Sequence, residues 1–158
     1  MDLTLRWNQL IKDPFFRDAP YKVELNRAGQ ILMSPASNWH GYAQGELSGE
    51  FKKKKKNGKV ITECSILTRD GVKVADVAWA SDKFIELYGF STPYIKAPEI
   101  CVEILSPGNS ISEIEDKVAL YLERGALEVW VVDQKEKISF FTNIGIVSSS
   151  KIIPKVKI

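Results

Sequence analysis

Hydrophobic and polar positions along the chain change period several times, and each change marks an element. Leu3, Leu5, Trp7, Leu10 and Ile11 fall at mixed helical spacing, so a short opening helix over residues 2–12 is predicted, ended by Pro14. Strand-like runs over 21–25 and 30–34 flank Asn26-Arg27-Ala28-Gly29, whose Asn and Gly suit a hairpin turn. Ser37 and Asn38 can cap a long helix running to about residue 56. Trp39, Tyr42, Ala43, Leu47 and Phe51 lie on one side of it and predict its core face.

Beyond the Asn57-Gly58 turn, strands are expected over 60–65 and 72–79, joined at Arg69-Asp70-Gly71. Ser81 caps a short helix over 82–87 that stops near Gly89, and a loop with Pro93 and Pro98 follows. The next strand covers 100–105. Ser110 or Ser112 caps a helix to Arg124, with Gly125 as its stop. Strands over 127–132 and 138–142 pair through Gln134-Lys135-Glu136-Lys137, and the tail SSSKIIPKVKI is expected to add an edge strand. No repeat or linker interrupts the chain, so residues 1–158 read as a single domain. The expected class is α+β, a central mixed β-sheet flanked by the helices at 37–56 and 110–124.

Two apolar runs are each broken by one carboxylate. Asp76 interrupts Val72-Lys73-Val74-Ala75-Asp76-Val77-Ala78-Trp79, and Glu103 interrupts Ile100-Cys101-Val102-Glu103-Ile104-Leu105. A charge inside a buried strand is costly unless it is paired or holds a metal. On the helix that follows, Ile111, Ile114, Val118, Tyr121 and Leu122 form the apolar stripe and Lys117 borders it. Its ordinary reading is a stem along the core edge with the amine in water. Its functional reading is an amine aimed back at Glu103. Magnesium takes one or two carboxylates, with waters and substrate phosphate completing its shell, and Asp76 and Glu103 on adjacent strands would supply them. Manganese fits the same donors. Such a cation activates water and stabilises charge on a phosphodiester, and a lysine beside it adds charge stabilisation.

Other candidates carry less. Alternation sets Glu24 opposite Val23 and Leu25, on a solvated strand face in the ordinary reading. His40, the only histidine, stands one step off the helix stripe and reads as a boundary residue. Lys52 to Lys56 close the long helix, where cations suit its dipole; the functional alternative is contact with a phosphate backbone. There is no nucleophile elbow, phosphate-binding loop, dinucleotide fingerprint or H-E-x-x-H, and one histidine with two separated cysteines argues against zinc.

Composition changes this picture little. The 22 basic and 20 acidic residues nearly cancel, so the net charge of +2 makes no case for nucleic acid. Cys64 and Cys101 sit in apolar runs and read as reduced thiols, which with an acidic second residue and no apolar run of about 20 points to a cytoplasmic protein without a membrane segment.

Taken in order, Tyr21-Lys22-Val23-Glu24-Leu25 with Gly29, the helix from His40 to Leu47, Val74-Ala75-Asp76-Val77-Ala78, Val102-Glu103-Ile104-Leu105-Ser106-Pro107, Lys117 through Tyr121, Gly125 and Val129-Trp130-Val131-Val132-Asp133 resemble the Uma-two family. That family is assigned to the restriction-endonuclease-like, PD-(D/E)XK nuclease superfamily. The resemblance covers roughly residues 20–133. It implies that Asp76 and Glu103 are the metal carboxylates and that Lys117 is the catalytic lysine, moved from the strand to the helix. Position 105, where the superfamily pattern has lysine, is Leu105, and Ala75 replaces the usual proline before the aspartate. Glu24 and His40 match family positions near the site.

The leading expectation is a magnesium-dependent endonuclease, a hydrolase cutting phosphodiester bonds in DNA. By analogy with nucleases of this fold that cut both strands, a homodimer is one state open to it. The alternative is a catalytically inactive nucleic-acid or protein-binding module that keeps the fold. A third reading is an acid cluster paired internally, Glu103 with Lys117, and no metal.

Overall fold

The computed structural model describes residues 1–158. Helix α1 (Leu3–Leu10) is capped by the Asp2 side chain, which accepts from the Leu5 amide. Pro14 does not end it. Asp13 caps a separate short helix, α2 (Pro14–Arg17), where proline takes the first-turn position that needs no amide donor. Strands β1 (Tyr21–Leu25) and β2 (Ile31–Pro35) pair antiparallel as a two-stranded sheet of their own. Helix α3 (Asn38–Lys54) begins at Ser37, whose hydroxyl accepts from the His40 amide.

Six strands make the main sheet in chain order: β3 (Lys59–Thr68), β4 (Gly71–Ala80), β5 (Ile100–Ile104), β6 (Glu128–Val132), β7 (Ile138–Thr142) and β8 (Gly145–Val147). Only β5 and β6 run parallel, because α5 (Ile111–Glu123) crosses over between them, so the sheet is mixed as expected. Helix α4 (Asp82–Tyr88) lies in the β4–β5 connection, capped by Ser81 and stopped at Gly89.

The two long helices cover opposite faces. Ala43, Leu47 and Phe51 of α3 pack on Val77, Trp79, Val102 and Trp130, and Ile114, Val118 and Tyr121 of α5 pack on Ala78, Cys101 and Val129. Phe51 meets Trp130 edge-on, with ring centroids 4.9 Å apart. Each fully buried side chain of this size contributes roughly 2–3 kcal/mol by removal from water. The buried side of α3 is His40, Ala43, Leu47 and Phe51, while Tyr42 is exposed; the stripe is turned from the expected one, and His40 lies on it. On α5 the stripe also shifts, with Ile111 at 81% exposure and Lys117 inside.

The edge strand expected in the tail is β8, which lies just before it. The tail instead crosses the α3 face of the sheet as coil, burying Ile153 and Val156. Buried Glu128 holds it there by accepting from the Ser150 hydroxyl (2.6 Å) and the Lys151 amide (2.9 Å), and from the Trp130 indole (2.8 Å).

Strand alternation breaks at one rung. Below it Cys64, Ile66 and Ala75 face α5; above it Ala78 and Ala80 face α5 while Val77 and Trp79 face α3. Odd and even positions of β4 therefore exchange sides at Asp76. Across from Asp76, Glu63 has φ 52 and is missing from an otherwise regular register. A left-handed non-glycine residue is strained by about 1–2 kcal/mol, here at the point where the strand must turn a carboxylate out of the sheet.

The β1–β2 hairpin packs where β3 turns into β4. Gly71, at φ +95, meets it there, and a Cβ at this position would stand 2.1 Å from the Leu25 carbonyl oxygen. Gly71→Ala is expected to lower the unfolding free energy by about 2 kcal/mol or more, read by chemical denaturation, because both the backbone angle and the hairpin must yield.

Candidate active site

Asp76 is brought to the inside of the domain by the β4 phase change and is 1% exposed. Its Oδ2 accepts from the Ile104 amide at 2.7 Å, which ties β4 to the end of β5. Its Oδ1 accepts from the Lys22 ammonium at 2.7 Å and lies 3.0 Å from His40 Nε2. The Asp76 carbonyl, freed from the ladder, accepts from Gln44 Nε2 (2.8 Å), and the same nitrogen donates to Glu63 Oε1 (2.7 Å). Four residues apart on α3, His40 and Gln44 thus grip opposite ends of one aspartate.

Glu103, on β5, points to the α5 face. Its Oε1 accepts from the Tyr121 hydroxyl at 2.7 Å, and its Oε2 lies 3.3 Å from Lys117 Nζ and 3.6 Å from Lys22 Nζ. Lys117 also donates to Glu24 Oε1 at 2.9 Å, and the same oxygen accepts from the Val74 amide at 2.8 Å. Three carboxylates and two ammonium groups therefore share one buried cluster.

All five sequence candidates meet here. Asp76, Glu103 and Lys117 converge, and the Lys117 amine turns inward to the acids instead of reaching water. Glu24 is 8% exposed, so its solvated-face reading does not hold. His40 is 7% exposed and bound to Asp76, so it is no boundary residue. Lys22 and Tyr121 were missed. Lys22 shares a strand face with Glu24, two residues away, so the sequence signal for one was the signal for both. Nothing in the pattern separated the Tyr121 hydroxyl from an ordinary core tyrosine.

The electrostatics divide the two acids. Burial raises the Asp76 carboxyl, but Lys22 and His40 outweigh it and bring it to about 2. Burial of Glu103 wins over the pull of Lys117 and Lys22, so its value is raised. Burial works against the charge on Lys22 and Lys117, yet the surrounding carboxylates overcome it and both are raised. Burial pushes the Cys64 thiol up to about 12, in keeping with an unreactive core cysteine.

The cluster forms the floor of a cleft of about 690 Å³, walled by the β1–β2 hairpin, the start of α3, the loop Ser106–Asn109 and the first turn of α5. Glu63 and Glu113 add acid to its lining. Acidic walls suit a small cation and repel a bare phosphate backbone. No group of three or more His, Cys, Asp or Glu side chains is arranged to hold a metal ion. Asp76 Oδ1 and Glu103 Oε2 nevertheless both face one cation, the Lys22 ammonium, so two hard oxygen donors already converge on a positive centre. A two-carboxylate donor set suits magnesium or manganese, which keep waters and substrate oxygens, and does not suit a closed protein cage. The lysines at the far end of α3, roughly 20 Å from His40 by helix rise, take no part in the cleft; Lys55 lies 5.3 Å over the Trp79 ring.

Burial lowers the His40 pKa and the Asp76 hydrogen bond raises it more, leaving it above the ordinary 6.5. Its contribution to stability is then complete below the unfolded value and is lost as pH rises through the folded one. The stability of the metal-free protein relative to His40→Gln should therefore shrink from mildly acidic to mildly alkaline pH, read by urea denaturation across that range. A constant difference would show that the imidazole does not titrate against Asp76.

A family profile described as "Putative restriction endonuclease" (Uma2) matches residues 7–143. No curated protein matches the chain. Among solved structures, one described as a "putative nuclease belonging to DUF820" from Anabaena variabilis superposes with a TM-score of 0.68 at 20% identity, covering 86% of this chain and 78% of that one. At that identity the likeness speaks for the fold, which is the restriction-endonuclease-like arrangement of a mixed sheet between helices. No helix is long and apolar enough to cross a membrane.

Proposed function

We propose that this chain, which belongs to the Uma2 family of restriction-endonuclease-like proteins, is a divalent-metal-dependent endonuclease acting on DNA. The observation that carries the reading is the convergence of Asp76 Oδ1 and Glu103 Oε2 on one cationic point at the floor of an open cleft. A bound magnesium or manganese ion would supply an activated water and charge stabilisation for the cleaving phosphate. Asp76 and Glu103 would hold it. Lys117, already in the site, would place its ammonium against charge developing on the phosphate oxygens. The remaining residues position these three. Tyr121 fixes the Glu103 carboxylate, Glu24 fixes the Lys117 amine, and His40 fixes Asp76. In an acid-lined cleft, the cation also offsets the repulsion that DNA phosphates would otherwise meet.

One observation favours a second reading. The buried acids already have ammonium partners, as an internally compensated ion network without metal would. Titration calorimetry of magnesium and manganese into wild type and Asp76→Ala separates the two. Binding lost in the variant, together with metal-dependent cleavage of plasmid or single-stranded DNA, supports the nuclease. No binding, with Glu103→Gln more stable than wild type, supports the ion network. For the nuclease, Lys117→Met is expected to lower kcat by about 10²–10³-fold with metal binding retained; loss of metal binding in this variant would count against its assigned role.

A further inference from the structure

We propose that Lys22 is the resident cation of the carboxylate pair, a positioning residue that holds Asp76 and Glu103 in place and that an incoming divalent ion must displace. The proposal rests on the metal-dependent reading above. Lys22 Nζ is 2.7 Å from Asp76 Oδ1 and 3.6 Å from Glu103 Oε2, so it spans the two acids assigned to the metal. Lys117 does not span them: its ammonium lies between Glu24 and Glu103. Both lysines are needed to balance three buried acids, but only one stands where the metal would go.

The chain places Lys22 so that it can leave. Its ammonium lines the cleft and makes one hydrogen bond, to Asp76, whereas the Lys117 ammonium is pinned by two, to Glu24 and Glu103. Lys22 belongs to the separate two-stranded sheet, not to the strands that carry Asp76 and Glu103, so its movement breaks no rung of the main sheet. A four-carbon stem with freely rotating bonds lets the ammonium swing into the cleft without backbone change. A divalent ion in contact with both oxygens would stand close against the Lys22 ammonium, and like charges at that range repel strongly. Metal entry therefore sends the Lys22 ammonium toward the cleft mouth, where a phosphodiester would need countercharge. Lys22 thus preorganises the acids and at the same time sets the threshold for metal loading.

Manganese titration into wild type, Lys22→Met, Lys22→Arg and Asp76→Ala tests this, with thermal unfolding of each protein without metal. Lys22→Met should bind on the order of tenfold more tightly than wild type, since a competing cation is gone. It should also unfold at lower temperature without metal and gain more from its addition. Lys22→Arg keeps the cation and should bind no more tightly than wild type. A residue that only supported the fold would weaken metal binding when replaced, the opposite direction. Binding by Lys22→Met equal to or weaker than wild type overturns the proposal while leaving the metal site standing. Binding by none of the proteins overturns the metal reading and the proposal with it. If the variants fail to fold, lysine-selective NMR of wild type decides. Magnesium should move the Lys22 side-chain signal well beyond that of Lys117, and a Lys22 signal unmoved at saturation overturns the proposal.

Discussion

An aspartate that is 1% exposed needs partners on every side, and Asp76 has them from three elements: the Ile104 amide of β5, Lys22 of β1, and His40 and Gln44 of α3. Much of the remaining architecture follows from that requirement. The hairpin must dock to bring Lys22, α3 must start where His40 can reach, and β4 must change phase so that the carboxylate leaves the sheet toward the cleft. An uncompensated buried carboxylate would cost several kcal/mol, comparable with the whole stability of a domain this size. The strain at Glu63 is small beside that cost.

Glu103 shows how the same compensation is shared. Its two oxygens go to different partners, Tyr121 from α5 on one side and the two lysines on the other. The crossover that makes β5 and β6 parallel therefore does two jobs, since α5 both covers the sheet and supplies the Lys117 and Tyr121 side chains that meet the strand before it. Asp76 and Glu103 end with oppositely shifted affinities for protons although they lie on neighbouring strands. Each has two cationic neighbours; at Asp76 the direct bonds to Lys22 and His40 outweigh burial, whereas at Glu103 burial, with repulsion from Asp76 and Glu24, outweighs Lys117 and Lys22.

Most elements were legible in the sequence because their signals were local. Ser37, Ser81 and Ser110 cap helices, the hairpin turn falls at Asn26 to Gly29, and Asp76 and Glu103 stand out as charges in apolar runs. The misreadings share a different origin. Glu24 and His40 were judged from the periodicity of their own segments, but their partners, Lys117 and Asp76, come from other segments. On α5, Ile111 looked like part of the stripe and is exposed, while Glu113 of the same turn lines the cleft. The β4 phase change was invisible for a similar reason. Alternation assumes an unbroken ladder, and only the missing pair between Glu63 and Asp76 shows where it breaks.

The distance along the chain between site partners bears on how the domain folds. Lys117 meets Glu24 across 93 positions, and Lys22 meets Asp76 across 54. Until the hairpin is seated, a six-stranded sheet flanked by its helices would enclose Asp76 and Glu103 with part of their countercharge missing. Such an intermediate carries an electrostatic penalty that neither the native state nor the unfolded chain carries. The penalty works as a source of cooperativity: it depopulates half-assembled forms, so the hairpin and the sheet rise and fall together in a single transition. The ion cluster that makes the site expensive to bury is thus also what keeps the small β1–β2 sheet from behaving as a loosely attached appendage.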